Sequence, residues 1–179
     1  MRLIAVLGSP HEEGGSNTVA HEVIKGAKQA GYEVIVYDAN AMNIRGCQGC
    51  MYCRQNNADC NLEDDLKQYW QQLHEADALL VAAPVYASQI CGPMITYMNR
   101  HYCLLNGGKP RIHAGIKLVG VFSQGRTDLA GYDSVYDWYL GDFENRDMQL
   151  VEKLVHSPRM DEAEKEALLK HAFDVGLNL

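Results

Sequence analysis

A chain of 179 residues is long enough to bury one core without disulfide or metal staples, and 47% apolar with 22% charged residues excludes the compositions that stay disordered. A formal net charge of −7 without a Lys/Arg cluster excludes nonspecific binding to nucleic acid or to an anionic membrane surface, both of which need a basic patch. One folded domain spanning residues 1–179, with no nucleic-acid and no membrane partner, is the expectation.

The opening run Met1 to Gly8 carries one basic residue, is too short for a signal-peptide core and lacks a small-residue cleavage site. It reads as a first strand, Leu3 to Leu7, and points to a cytoplasmic protein. No stretch approaches the roughly 18 apolar residues of a membrane span. A helical pattern follows over Thr18 to Ala30, then a strand over Glu33 to Tyr37, a helix over Leu62 to Glu75 and a strand over Ala78 to Ala82. The second half continues with a helix over Pro93 to Leu104, a strand over Ile116 to Phe122, a helix over Tyr132 to Glu144, a strand over Met148 to Val155 and a last helix over Asp161 to Val175. Strands alternating with crossover helices predict a doubly wound α/β fold. Its five-stranded parallel sheet takes the flavodoxin-like order 2-1-3-4-5, with helices on both faces. Asn61 to Asp65 reads as an N-cap with acidic residues in the first helical turn.

The first βα loop, Gly8-Ser9-Pro10-His11-Glu12-Glu13-Gly14-Gly15-Ser16-Asn17-Thr18, puts small and hydroxyl residues at a helix N-terminus, where free amides and the dipole favour an anion. It has neither Gly-x-Gly-x-x-Gly nor Gly-Lys-Ser/Thr, so a dinucleotide pyrophosphate or an ATP P-loop is not indicated. A terminal phosphomonoester, such as that of FMN, remains. On residues alone this competes evenly with Ser16 or Asn17 acting as a simple helix cap. After the third strand, Pro84-Val85-Tyr86-Ala87-Ser88 offers an aromatic face and backbone groups. After the fourth, Ser123-Gln124-Gly125-Arg126 makes a third loop at the carboxyl ends of the strands, where open α/β sheets bind ligands. Arg126 is placed to stabilise negative charge on a reduced flavin, against the commoner fate of a solvated arginine.

The connection over about residues 38–61 is far longer than the two to six residues usual for such loops, and it holds Cys47, Cys50, Cys53 and Cys60. Three cysteines at Cys-x-x-Cys-x-x-Cys spacing and a fourth seven residues on form a four-cysteine set suited to an iron–sulfur cubane. Structural zinc and a redox disulfide fit less well, and free thiols are an equal competitor. Cys91 and Cys103 read as buried thiols in a helix. There is no His-Glu-x-x-His and no Gly-x-Ser-x-Gly, which removes support for zinc hydrolase and esterase chemistry.

The first loop resembles the Gly-Ser-Pro-Arg-x-x-Ser-Asn-Thr loop of the NAD(P)H-dependent FMN reductase and iron–sulfur flavoprotein family. Ser9, Ser16, Asn17 and Thr18 stand on matching positions, His11 stands where Arg is usual, and the loop carries an additional Gly. Ala83 to Tyr86 is similar to the family's Ser-Pro-Val-Tyr segment along the isoalloxazine ring. The Cys47 to Cys60 spacing resembles the family's compact four-cysteine motif, and Arg100 matches an Arg that follows Lys and Asp where this chain has Thr96 and Asn99. The resemblance is strongest from Met1 to Tyr86. It implies FMN held by Ser9, His11, Ser16, Asn17 and Thr18, by Pro84 to Ser88 and by Ser123 to Arg126, with Cys47, Cys50, Cys53 and Cys60 as ligands of a 4Fe-4S cluster. It also implies an oxidoreductase that is a homodimer or homotetramer and is fed by a ferredoxin-like or small-molecule donor. Three alternatives stand: a cluster-free NAD(P)H-dependent FMN or quinone reductase, a noncatalytic flavodoxin-like electron carrier, and a thiol-based sensor.

Overall fold

Leu3, Ile4, Ala5 and Val6 are all within 1% of complete burial, as expected for a parallel strand covered on both faces, and they form β1 (Arg2–Leu7), an interior strand of the sheet. The computed structural model describes residues 1–179 throughout. β1 pairs in parallel with β2 (Glu33–Asp38) on one side and β3 (Ala78–Tyr86) on the other. A two-residue strand, β4 (Gln89–Ile90), folds back antiparallel on the end of β3. β5 (Leu105–Asn106) and β6 (Lys109–Pro110) form a separate small hairpin. β7 (Lys117–Ser123) and β8 (Gln149–His156) complete the parallel sheet, whose order is β2-β1-β3-β7-β8. The five long strands thus follow the expected 2-1-3-4-5 order, and β4 is an addition to it.

Because side chains alternate across a strand, β1 sends Leu3, Ala5 and Leu7 to one core and Ile4 and Val6 to the other. The first core is closed by α1 (Gly15–Gln29) and α6 (Glu162–Leu177). The second is closed by α3 (Lys67–His74), α4 (Gly92–Arg100) and α5 (Asp133–Glu144). A short helix, α2 (Tyr52–Asn56), lies inside the cysteine loop. α6 starts with a full capping box between Asp161 and Glu164, which fixes its first turn. No helix is long and apolar enough to cross a membrane.

Three helix starts and ends differ from the sequence reading. α1 begins at Gly15 with Gly14 as N-cap and no side-chain cap bond, so neither Ser16 nor Asn17 caps it. The segment from Asn61 does not cap a helix: α3 starts only at Lys67, and Asp64 is drawn into a buried ion pair with Arg100 instead. The predicted helix over Pro93 to Leu104 ends at Arg100 and tightens into a 3-10 turn at His101–Leu104. Cys91 and Cys103 are buried as expected, but Cys91 is the N-cap of α4 and Cys103 sits in the 3-10 turn.

The larger core encloses a polar aromatic cluster. Tyr69 Oη lies 2.5 Å from Tyr97 Oη and 2.9 Å from His101 Nε2, while Phe143 packs edge-on against the His101 ring. Burial, with the nearby Arg146 charge, holds His101 well below its ordinary range, so it is neutral in the folded protein. The unfolded chain binds a proton near pH 6.5 that the folded one refuses. This contribution is fully present above about pH 6.5 and is lost as pH falls, by about 1.4 kcal/mol per pH unit. Urea unfolding from pH 7 to pH 5 is therefore expected to show a steeper loss of stability in the wild type than in His101→Gln, and equal slopes would refute a neutral buried His101.

Candidate functional site

The carboxyl ends of β1, β3, β7 and β8 open onto one side of the sheet, and the β1/β3 boundary is the switch point where open α/β sheets take ligands. Gly8 N donates to Ala82 O at 2.9 Å and the Cys91 thiol donates to Gly8 O at 3.4 Å, so the first and second loops are tied together. Cys91 N in turn donates to Pro84 O at 3.0 Å.

Ser9, His11, Pro84, Val85, Tyr86, Ser123, Gln124 and Gly125 line one open cleft of about 240 Å³ at the carboxyl ends of the strands, where open α/β sheets take ligands. Ser9 Oγ accepts from His11 N at 3.2 Å and donates to His11 O at 3.1 Å, and Asn17 Nδ2 donates to the same carbonyl at 3.1 Å. These bonds curl the loop over the start of α1. Ser16 and Asn17 are buried beneath it, and Thr18 Oγ1 donates to Glu13 O at 3.3 Å. Ala87 and Ser88 form a left-handed turn, with φ of 49° and 63°, beside the half-exposed Tyr86.

Arg126 is not among the cleft-lining residues. Its guanidinium lies 4.9 Å from the centre of the Tyr132 ring and donates to Gly131 O at 3.2 Å. The sequence reading also missed His156, Gly14, Gly15 and Pro158, which complete the cleft. His156 ends β8, and its only available signal was its position at the carboxyl end of the fifth strand. Burial and the Lys165 charge lower its pKa.

Four of the eleven buried polar side-chain atoms without a partner lie in this cleft or in the first turn of α1 beside it. Ser16 Oγ, Asn17 Oδ1, Gln124 Oε1 and His156 Nδ1 all lack one, and folded proteins rarely leave such groups unpaired. Together with the amide end of α1, they form a cradle for a ligand carrying both hydrogen-bond donors and an anionic group.

The second feature is the cysteine loop. Cys47, Cys50, Cys53 and Cys60 line one pocket, together with Met51, Leu62, Tyr102 and Arg100. Gly49 takes φ of 61°, which glycine adopts without strain, and Met51 and Asn57 bracket α2 with left-handed conformations. The stems of the loop are pinned: Asn43 N donates to Asp65 Oδ2 at 2.7 Å and Arg45 N to Asp64 Oδ2 at 3.2 Å. Asp59, next to Cys60, is held by His74 at 3.0 Å and by Arg111 at 3.2 Å. Burial pushes the Cys53 thiol up, with Cys60 and Cys47 adding to the effect. Burial pushes Cys103 up to about 12, which leaves it an inert thiol. All six cysteines are free, and no group of three or more His, Cys, Asp or Glu side chains is drawn together closely enough to hold a metal ion. The four loop cysteines share a pocket without converging on an ion-sized centre.

Comparison with known proteins places this geometry in context. The family model described as NADPH-dependent FMN reductase matches residues 1–149. An iron-sulfur flavoprotein of Archaeoglobus fulgidus is 28% identical over 135 residues, covering 74% of this chain and 60% of that protein. An iron-sulfur flavoprotein of Methanosarcina thermophila is 23% identical over 141 residues, covering 77% of this chain and 72% of that one. The aligned stretch thus spans less than two thirds of the Archaeoglobus relative. An NAD(P)H:quinone oxidoreductase from Methanothermobacter marburgensis superposes with a TM-score of 0.80 at 23% identity, covering 99% of this chain and 95% of that structure.

Proposed function

This chain belongs to the NADPH-dependent FMN reductase family, and we propose that it is a flavin-dependent oxidoreductase binding one FMN in the cleft at the carboxyl end of the sheet. The observation that carries the reading is the set of unpartnered buried atoms, Gln124 Oε1 and His156 Nδ1 in the cleft and Ser16 Oγ and Asn17 Oδ1 in the first turn of α1. The start of α1, with Ser9, His11, Ser16, Asn17 and Thr18, binds the phosphate. The Pro84 to Ser88 turn and Ser123 to Gly125 border the ring. Arg126 follows in the same third loop, where its guanidinium packs on Tyr132 and donates to Gly131 O.

The cysteine pocket has the donor set of a 4Fe-4S cluster, with four thiols around one hollow whose remaining walls are largely apolar. Cys47, Cys50, Cys53 and Cys60 are its proposed ligands, and the pinned stems limit how far the loop can open. When bound, FMN exchanges a hydride or single electrons, and a cluster exchanges single electrons. The protein's own part is to fix the ring between the β3 and β7 loops and to exclude water from the Cys53 side of the pocket. A ferredoxin-like donor suits the cluster-bearing form. The cluster-free NAD(P)H reductase is the second reading, supported by the family match; the lack of an ion-sized convergence of the thiols argues against a single bound metal ion and does not separate the two. We carry the whole chain as one FMN domain that assembles as a homodimer or homotetramer, which light scattering on the holoprotein checks.

Iron, acid-labile sulfide and FMN per chain, measured on protein purified without oxygen, test the proposal. About one FMN with about four iron and four sulfide is the expected result. FMN without iron selects the cluster-free reductase, and absence of flavin refutes the cleft assignment. Steady-state turnover with NAD(P)H and a quinone or free flavin separates an enzyme from a carrier.

A further inference from the structure

We propose that Arg100 is the cationic positioning residue of the four-cysteine pocket: one of its nitrogens ties the two stems of the cysteine loop together, and the other two hydrogen-bond to an anionic sulfur centre held by Cys47, Cys50, Cys53 and Cys60. The inference rests on the cluster reading of that pocket.

Arg100 is 1% exposed and its ion-pair partner Asp64 has a side chain 2% exposed. Nη1 donates to Arg45 O at 2.9 Å and also to Asp64 Oδ2, which accepts Arg45 N as well. Arg45 precedes the first of the four cysteines and Asp64 follows the last. A single nitrogen projecting from the end of α4 therefore closes the loop at its base. Nε and Nη2 are buried and have no partner. Arg100 is the only cation lining the pocket that the four cysteines share.

If pairing with Asp64 were all that was needed, the clamp would use one nitrogen and leave two buried donors unsatisfied, each carrying its full desolvation penalty. Such groups are rare in native proteins. The matching acceptors in this pocket are sulfurs, and a neutral thiol accepts only weakly. Sulfur ligated to iron is anionic and accepts better. Hydrogen bonds to the sulfurs and the charge around a cluster set its reduction potential. Uptake of one electron, supplied in the test by dithionite, adds one negative charge to the centre, and a guanidinium against the sulfurs favours that reduced state.

Arg100→Lys keeps the ion pair with Asp64 but spends its one nitrogen there and has none to turn toward the sulfurs. Iron and sulfide analysis on wild type and variant comes first, followed by a dithionite titration monitored by electron paramagnetic resonance. The expected result is an iron-loaded, folded lysine variant whose reduction equilibrium is at least tenfold less favourable, a fall in midpoint of about 59 mV for a one-electron couple. Arg100→Gln, which also strands Asp64, is expected to release iron to a chelator at least roughly tenfold faster than wild type; should it fail to fold, the lysine variant alone decides. A fully loaded lysine variant with the wild-type midpoint reduces Arg100 to a clamp and overturns the inference while sparing the cluster. Wild-type protein with FMN and no iron overturns both.

Discussion

Gly15→Asp is expected to weaken FMN binding by at least about a hundredfold while leaving the melting temperature of the apoprotein unchanged or slightly raised. Gly15 is the first residue of α1 and lines the cleft. A carboxylate there is favourable for the helix by about 0.3–1 kcal/mol, because it meets the positive end of the dipole. The same charge occupies the amides that the FMN phosphate needs and repels it, and losing charge-assisted hydrogen bonds worth about 3 kcal/mol corresponds to roughly a hundredfold in Kd. A side chain at this position also meets the His156 ring, so the imidazole must shift. Titration by flavin fluorescence with FMN and with riboflavin checks the assignment. Riboflavin lacks the phosphate and should lose little affinity; equal losses for both flavins would show that the phosphate does not sit at the start of α1.

Gly176→Ala should cost about 2–3 kcal/mol, a fall in Tm of roughly 4–12 °C for a domain of this size. At Gly176 an added Cβ would run into the carbonyl of Val23 and the amide of Ala27, and at Gly26 into the carbonyl of Phe173. The two glycines let α1 and α6 touch backbone to backbone, and backbone cannot rotate aside as a side chain tip does. The gain in helix propensity, about 1 kcal/mol, offsets only part of the strain. Gly141→Ala in α5 makes the same chemical change where an added Cβ meets nothing. It should stabilise by up to about 1 kcal/mol. Thermal or urea unfolding of the pair reads the contrast, and similar shifts in both variants would rule out close packing as the cause.

Local signals were strong where burial and periodicity agree. β1 and β3 are buried on both faces and are read from their apolar runs, and the alternation of strands with helices leads to the doubly wound order. The loops that line the cleft are named by their place after these strands, since strand ends are where an open sheet presents its ligands. Signals failed where a side chain had two possible partners. Asp64 has the look of a first-turn helix acid, yet α3 starts only at Lys67, and one Asp64 oxygen accepts from Leu66 N just before it while the other pairs with a buried guanidinium from a distant segment. Arg126 lies in the third loop, does not line the cleft and packs its guanidinium on the Tyr132 ring.

The sequence by itself determined the α/β class, the strand order, the anion-favouring loop before α1 and the presence of four cysteines in one connection, because each is written in spacing and local composition. Only the tertiary structure decided that His156 completes the cleft, that Gly26 and Gly176 let two helices meet, and that Arg100 closes the cysteine loop and faces its pocket. Those contacts join residues far apart in the chain, and no local periodicity records which distant partner a buried charge, a small residue or a strand-end imidazole will find once the two cores close.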